Sequence, residues 1–175
     1  MPPQIYDDPA TRERILRACF KVLCRHGYGK FTLSDVAAQA GISRPTLYKC
    51  FASRDELLMA FSEFEVQSFE EDLAHALVGR KGRKRLDAIV EFLADFYRSY
   101  QMRGLIEIEP ALVLAQMRGA IPVLSEIIAR ELGSRVGDPV LVSTTLVRIG
   151  ICHYLLPSSD DDLLLAQLRA AVGLR

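Results

Sequence analysis

The stretch from Thr32 to Phe51, TLSDVAAQAGISRPTLYKCF, leaves its backbone little freedom. Thr32 with Asp35 three residues on is a T-x-x-D variant of the capping box, which starts a helix by satisfying its first orphan N–H groups. Val36, Ala37 and Ala40 give that helix a small, close-packing inner face, and Gly41 permits the left-handed turn that a side chain resists. Ile42 plugs the angle that follows. Ser43 caps a second short helix, and Pro45 suits its first turn, where a missing N–H has no partner to lose. Leu47 and Phe51 point back towards a core, which leaves Arg44, Thr46, Tyr48 and Lys49 facing outward. Two short helices braced in this way, the second opening with short and basic side chains, read as a helix-turn-helix whose second helix fits the DNA major groove.

Charge is distributed accordingly. The whole chain of 175 residues balances 22 basic against 22 acidic side chains, so net charge alone says nothing about DNA. Residues 1–54 nevertheless hold nine Lys/Arg against four Asp/Glu, and the remainder thirteen against eighteen. A basic head on an acidic body is the electrostatic footprint of a nucleic-acid binder.

The four cysteines, Cys19, Cys24, Cys50 and Cys152, show no C-x-x-C spacing and no histidine arrangement resembling a metal clip, so no metal and no cofactor is expected. Buried free thiols in a reducing cytosol are the reading of all four, with a redox role at Cys50 as the alternative. No phosphate loop and no Ser/His/Asp order with a recognisable context occurs, so no catalytic residues are expected and the chain is not read as an enzyme. The N-terminus lacks the basic and apolar regions of a signal peptide. No apolar run is read as approaching the ~18 residues that span a bilayer, so a cytoplasmic protein without a membrane partner is expected.

Helical periodicity runs through the chain and convincing period-2 alternation is absent, so the fold class is all-α. A first helix from Ala10 or Thr11 carries Ile15, Leu16, Cys19, Phe20 and Leu23 on one stripe and closes at His26-Gly27, before a loop Gly27-Tyr28-Gly29-Lys30. A long helix rich in Phe and Glu follows the helix-turn-helix, from Asp55 to about Val78. Gly79 to Arg85 reads as a solvated basic loop. Leu86, Ile89, Val90, Leu93, Tyr97 and Tyr100 mark the next helix, widened by Phe92 and Phe96. Shorter helices are expected over 106–117 and 122–132, a turn at 133–137, a long apolar helix over 138–156, and a last helix through Val172. The division expected is 1–54 as a helix-turn-helix DNA-binding domain and 55–175 as a helical effector-binding and dimerisation domain.

With the opening helix that ends in a Gly-Tyr loop, the run T-x-x-D-V-A-x-x-A-G-I-S-x-x-T-L-Y-x-x-F from Thr32 to Phe51 resembles the N-terminal domain of TetR-family transcriptional regulators almost continuously. The resemblance covers residues 10–60; beyond them the likeness lies only in being helical with two apolar C-terminal helices. It implies that Thr32, Tyr48 and Lys49 hold phosphates and that Arg44 and Thr46, with Ser34, lie nearest the bases; Ser43 and Pro45, at the start of the recognition helix, complete the expected DNA-binding set. Cys50 departs from the pattern, because the family commonly has His or another larger polar or aromatic residue there. The chain is also short for the family, which bears on the size of any ligand cavity.

The segment 138–156 is apolar on every side, with Arg148 its only charge besides the capping Asp138. A helix apolar all round is buried all round, and a small protomer offers one core face, so the second face is expected against another subunit. TetR-like proteins pair through their last two helices, and the resemblance puts Val140, Val147, Ile151, Tyr154, Leu164, Leu165 and Leu168 at a homodimer interface. Two-fold pairing would set two recognition helices on a palindromic double-stranded DNA operator. The aromatic helices between suggest a pocket for a small, largely apolar effector, with Phe61, Phe64, Phe69, Phe92, Phe96, Tyr97, Tyr100, Met102 and Met117 as walls and His75 and His153 as polar contacts. Ordinary core packing is the first reading of any one of these residues, and helical spacing alone does not distinguish a filled core from a lined cavity.

The leading expectation is therefore a ligand-responsive homodimeric repressor. Two alternatives stand beside it: a constitutive DNA-binding regulator with a solid core, and a lipid carrier or enzyme whose helix-turn-helix is vestigial.

Overall fold

Helix starts are fixed by local chemistry. In the computed structural model, which describes residues 8–100, 103–158, 160 and 162–174, α1 (Pro9–Lys30) begins at Asp8, whose carboxylate accepts from the N–H groups of Ala10 and Thr11 at 3.3 and 3.2 Å. Helix α2 (Leu33–Ala40) begins at Thr32 and α3 (Arg44–Cys50) at Ser43. Helix α4 (Arg54–Ala76) is capped by Ser53, which accepts from Glu56 N–H at 3.1 Å, and Asp55 and Glu56 place negative charge in its first turn, where the helix dipole favours it. Helices α5 (Gly82–Ser99), α6 (Arg103–Ile108) and α7 (Pro110–Leu132) follow, then a short 3-10 turn at Gly133–Arg135. Helix α8 (Pro139–Leu155) is capped by Asp138, and α9 (Leu163–Ala171) ends the described chain. No strand occurs among the described residues, and the chain is all-α.

Four expectations need correction. The first helix does not stop at Gly27. Its backbone leaves helical geometry there, at φ 76° and ψ 171°, and resumes for a last turn to Lys30. The break expected near residues 118–121 lies instead at Glu109. Pro110 disfavours helical geometry in the residue before it and then starts α7, so Glu109 sits at φ −141° and ψ 61°. Pro122 runs inside α7, where it forfeits a backbone hydrogen bond; buried Val113 on one side and Ile127, Ile128 and Leu132 on the other hold the helix through it. This continuous helix also overturns the expectation about apolar runs, since Pro110–Arg135 is long and apolar enough, by length and composition alone, to cross a membrane. Finally, the basic loop is shorter than expected. Gly82 to Arg85 form the first turn of α5, and Arg85 turns inward to pair with Glu131 and to donate to the Leu77 carbonyl at 3.2 Å. Arg80, Lys81, Arg83 and Lys84 remain exposed.

Around the helix-turn-helix the core is solid. Ile15 and Leu23 of α1, Phe31, Val36 of α2, Leu47 of α3 and Phe51 are essentially inaccessible to solvent. Each such side chain contributes ~1.5–3 kcal/mol of hydrophobic stabilisation. The Arg12 guanidinium lies 4.4 Å from the centre of the Phe51 ring, and that of Arg54 lies 4.5 Å from that of Phe31. The buried residues form one cluster that continues from this head into the body, down to Leu164, Leu168 and Leu174.

Candidate nucleic-acid interface and the cavity behind it

In the turn itself Thr32 donates to Asp35 twice, from its N–H at 2.9 Å and from its hydroxyl at 2.7 Å, and accepts from Asp35 N–H at 3.2 Å. Asp35 is held below its ordinary pKa, first by the Thr32 hydroxyl, then by the Thr32 N–H, with His26 and Arg44 adding positive potential. Gly41 adopts φ 66°, ψ 35°, and its N–H closes onto Ala37 and Ala38. Ser43 then starts α3: its hydroxyl accepts from Thr46 N–H at 3.2 Å and is 2.7 Å from the Thr46 hydroxyl. Arg25 of α1 donates to Gln39 of α2 at 3.0 Å and braces the pair from behind.

The outward face of α3 carries Arg44, Pro45, Tyr48 and Lys49, all exposed. Tyr48 is 52% accessible, an unusual placement for a large ring on a helix whose neighbour Leu47 is wholly buried. Thr46 is half-buried and its hydroxyl is shared with Ser43, so Arg44 is the freer of the two expected base-reading side chains. Ser34 is half-buried on the first turn of α2. Thr32 differs from expectation in a specific way: it is exposed, but both of its donors are taken by Asp35, so contact with a phosphate requires the capping box to open. Of the cysteines, Cys19 is buried, Cys24 and Cys50 are intermediate and Cys152 is exposed, which corrects the expectation of four buried thiols.

Behind the head, α4, α5, α6, α7 and α8 enclose a cavity of about 440 Å³. Six expected wall residues line it: Phe61, Phe69, Phe96, Tyr97, Tyr100 and Met117. Four expected residues do not. Phe64 turns towards Arg17, whose guanidinium lies 5.7 Å from its ring centre, while Phe92 packs edge-on against Phe69 at 5.3 Å on the far side. His153 pairs with Gln167 of α9 at 2.8 Å. His75 is exposed in the last turn of α4, and Met102 lies outside the described residues.

The cavity's polar residues went unread in the sequence. Glu65 accepts from the Tyr100 hydroxyl at 3.1 Å, and burial raises its pKa despite that bond and the nearby Arg17. Tyr28, from the kink of α1, also lines the wall and donates its hydroxyl to Gln116 of α7 at 2.8 Å. Beside it, Glu109 accepts from the N–H groups of Tyr28 and Gly29, both at 2.7 Å. A side chain at Gly29 would bring its Cβ within 2.6 Å of that carboxylate, and one at Gly27 within 3.0 Å. Two glycines flanking an aromatic residue, and a carboxylate standing before a proline, were the available signals of this close approach.

The residues expected at a dimer interface divide. Val147, Tyr154, Leu164 and Leu168 are buried within the chain, and Tyr154 lines the cavity together with half-buried Ile151. Leu165 is half-buried and Val140 is exposed. With Val140, the outer surface of α8 shows Leu141, and Leu156 just beyond its end, each more than 60% accessible. Among the described residues no cluster of three or more His, Cys, Asp or Glu is placed to hold a metal.

Known proteins resemble this arrangement at two scales. Residues 15–61 match the family model described as bacterial regulatory proteins, tetR family. The chain is 30% identical over 89 residues to the HTH-type transcriptional regulator BetI of Agrobacterium fabrum (strain C58 / ATCC 33970), a match covering 50% of this chain and 43% of that protein. It is 29% identical over 151 residues to the HTH-type transcriptional activator FasR of Mycolicibacterium smegmatis (strain ATCC 700084 / mc(2)155), covering 80% of this chain and 68% of that one. The match to the first of these relatives thus spans less than half its length. Among solved structures, the TetR family repressor AlkX from Dietzia sp. strain DQ12-45-1b, implicated in biodegradation of n-alkanes, aligns with a TM-score of 0.63 at 26% identity, over 97% of this chain and 96% of that chain.

Proposed function

We propose that this chain, which belongs to the TetR family of transcriptional regulators, is a homodimeric repressor that α3 holds on a palindromic operator until a small, largely apolar ligand fills the cavity. The observation that carries the reading is α3 itself. Arg44, Tyr48 and Lys49 are exposed on a helix that Leu47 and Phe51 pin to the core, and the tyrosine ring is 52% accessible there. Arg44 reads a base edge, Tyr48 and Lys49 hold phosphates, and residues 1–54 act as the DNA-binding domain. Residues 55–175 bind the effector and pair, with the exposed apolar side chains of α8 and the neighbouring face of α9 as the contact. Pairing sets the two recognition helices one helical turn of DNA apart, and the protein works where the chromosome is, in the cytoplasm.

The coupling runs through Tyr28. It belongs to the first helix of the head, lines the cavity and grips Gln116, while Glu109 clasps the backbone on either side of it. A ligand that pushes the Tyr28 ring aside shifts the end of α1 and, with it, the head. Release demands that the ligand prefer the non-DNA state; a ~100-fold preference corresponds to roughly 2.7 kcal/mol of coupling.

An activator is the second reading, supported by the likeness to FasR over most of the chain. One experiment addresses both. Genomic fragments selected by the purified protein are read for a palindrome, and the recovered site is placed before a reporter. Repression from a two-fold site is the expected outcome. A reporter that rises with the protein favours activation, and recovery of no sequence at low salt sinks the DNA-binding reading.

A further inference from the structure

The cavity is not uniformly apolar, because a carboxylate stands in its wall. Among the described residues that line it, Glu65 is the one charged side chain, and none of the others is Lys, Arg or His. On α4 it stands four residues from both Phe61 and Phe69, so a carboxylate interrupts what is otherwise an aromatic stripe of one helix face. Tyr100, its hydrogen-bond partner, packs against Phe96 at 5.4 Å and edge-on against Tyr154 at 5.7 Å. The carboxylate is thus held among rings whose faces favour positive charge.

We propose that the ligand is an organic cation, an alkylated or protonated amine on an apolar or aromatic skeleton, with Glu65 as its counter-charge and the rings of Tyr100, Phe96 and Tyr28 as its walls. This rests on the reading of the cavity as the ligand site. An anionic ligand would bring like charge to Glu65 and meet no basic side chain among the described lining residues. A neutral ligand would fill the space but leave the carboxylate with the Tyr100 hydroxyl as its one hydrogen-bond donor from the cavity wall, a costly arrangement that a cation beside it relieves. Arg17 does not fill that role, because it is paired with Glu13 at 2.8 Å on the exposed face of α1. Burial raises Glu65 from its ordinary pKa, an effect that Tyr100 and Arg17 only partly offset, and after burial its charge adds to the raised values of Cys19, Cys24, Tyr28 and Tyr100.

The test uses three small probes of similar shape on the full chain: phenyltrimethylammonium, its neutral isostere tert-butylbenzene, and benzenesulfonate. By calorimetry the cation binds at least ~tenfold tighter than the neutral compound, and the sulfonate does not bind. Glu65→Gln, which keeps an acceptor for Tyr100, brings the cation down to the affinity of the neutral isostere and leaves the latter unchanged. Equal binding of cation and neutral probe by the unaltered protein overturns the assignment while leaving the cavity a ligand site. Failure of all three to bind or to raise the melting temperature overturns the ligand reading as well. The comparison in the unaltered protein decides the matter even where the variant melts early.

Discussion

The head and the body place their working side chains in opposite ways. In the head, α1 to α3 close on a filled core of Ile15, Leu23, Val36, Leu47 and Phe51, and the side chains proposed to meet DNA stand outside it. In the body, α4 to α8 leave a cavity, and Glu65, Tyr100, Tyr28 and Gln116 face inward around it. A solid core makes a rigid platform, which base reading requires. A core with a hole sacrifices packing contacts and so forms the more adjustable part, which a sensor requires. The two meet at Tyr28 and Glu109, where N–H groups in the last turn of α1 donate charge-assisted hydrogen bonds to a carboxylate of the body.

Substitutions break this contrast in graded fashion. The largest effect is expected from Phe51→Ala, which empties the centre of the head and costs ~3–5 kcal/mol. Hydrogen exchange should then show α1–α3 opening well before α8, and equal loss in both would mean that the continuous core unfolds as one unit. Glu109→Gln removes the charge from the two hydrogen bonds at the joint. It should lower thermal stability by ~1.5–3 kcal/mol and weaken the effect of ligand on DNA binding, with Gly29→Ala giving the same phenotype by steric displacement of the carboxylate. If operator release is untouched in both, the joint carries no signal.

Gly150→Ala is a body-only perturbation. An added Cβ would overlap the ring of Tyr97, whose hydroxyl donates to the Val147 carbonyl at 3.4 Å, so a cost of ~1–3 kcal/mol is expected. Operator affinity in the absence of ligand should stay within about twofold, as a titration of labelled DNA would read. The smallest structural effect belongs to Lys49→Gln. Melting should not change, while the salt dependence of DNA binding should fall by about one unit of slope; an unaltered slope would remove Lys49 from the phosphate contacts.

How much was legible in the sequence follows the same line. Thr32 with Asp35, Gly41, and Ser43 with Thr46 are contacts between residues a few positions apart, and each sits in the structure as its spacing required. The cavity was only half legible. Phe61 and Phe64 both belong to a plausible wall, yet a rotation of three residues along α4 sends one inward and the other towards Arg17. Ile151 and Tyr154, expected at a subunit contact, face the cavity instead, because α8 packs its inner side on α7 and α5. Glu109 and the Gly27–Gly29 loop meet across some eighty positions, and no local pattern links them.

By itself, then, the sequence determined the all-α class, the helix-turn-helix and the side chains that α3 turns outward, since these rest on caps, turn geometry and periodicity that operate over three or four residues. Only the packing of distant segments shows where the cavity lies, that Glu65 stands in its wall, and that Glu109 of the body holds the backbone around Tyr28 of the head. Those depend on which helix faces meet and how closely backbones approach, quantities that arise only when segments distant in the chain pack together.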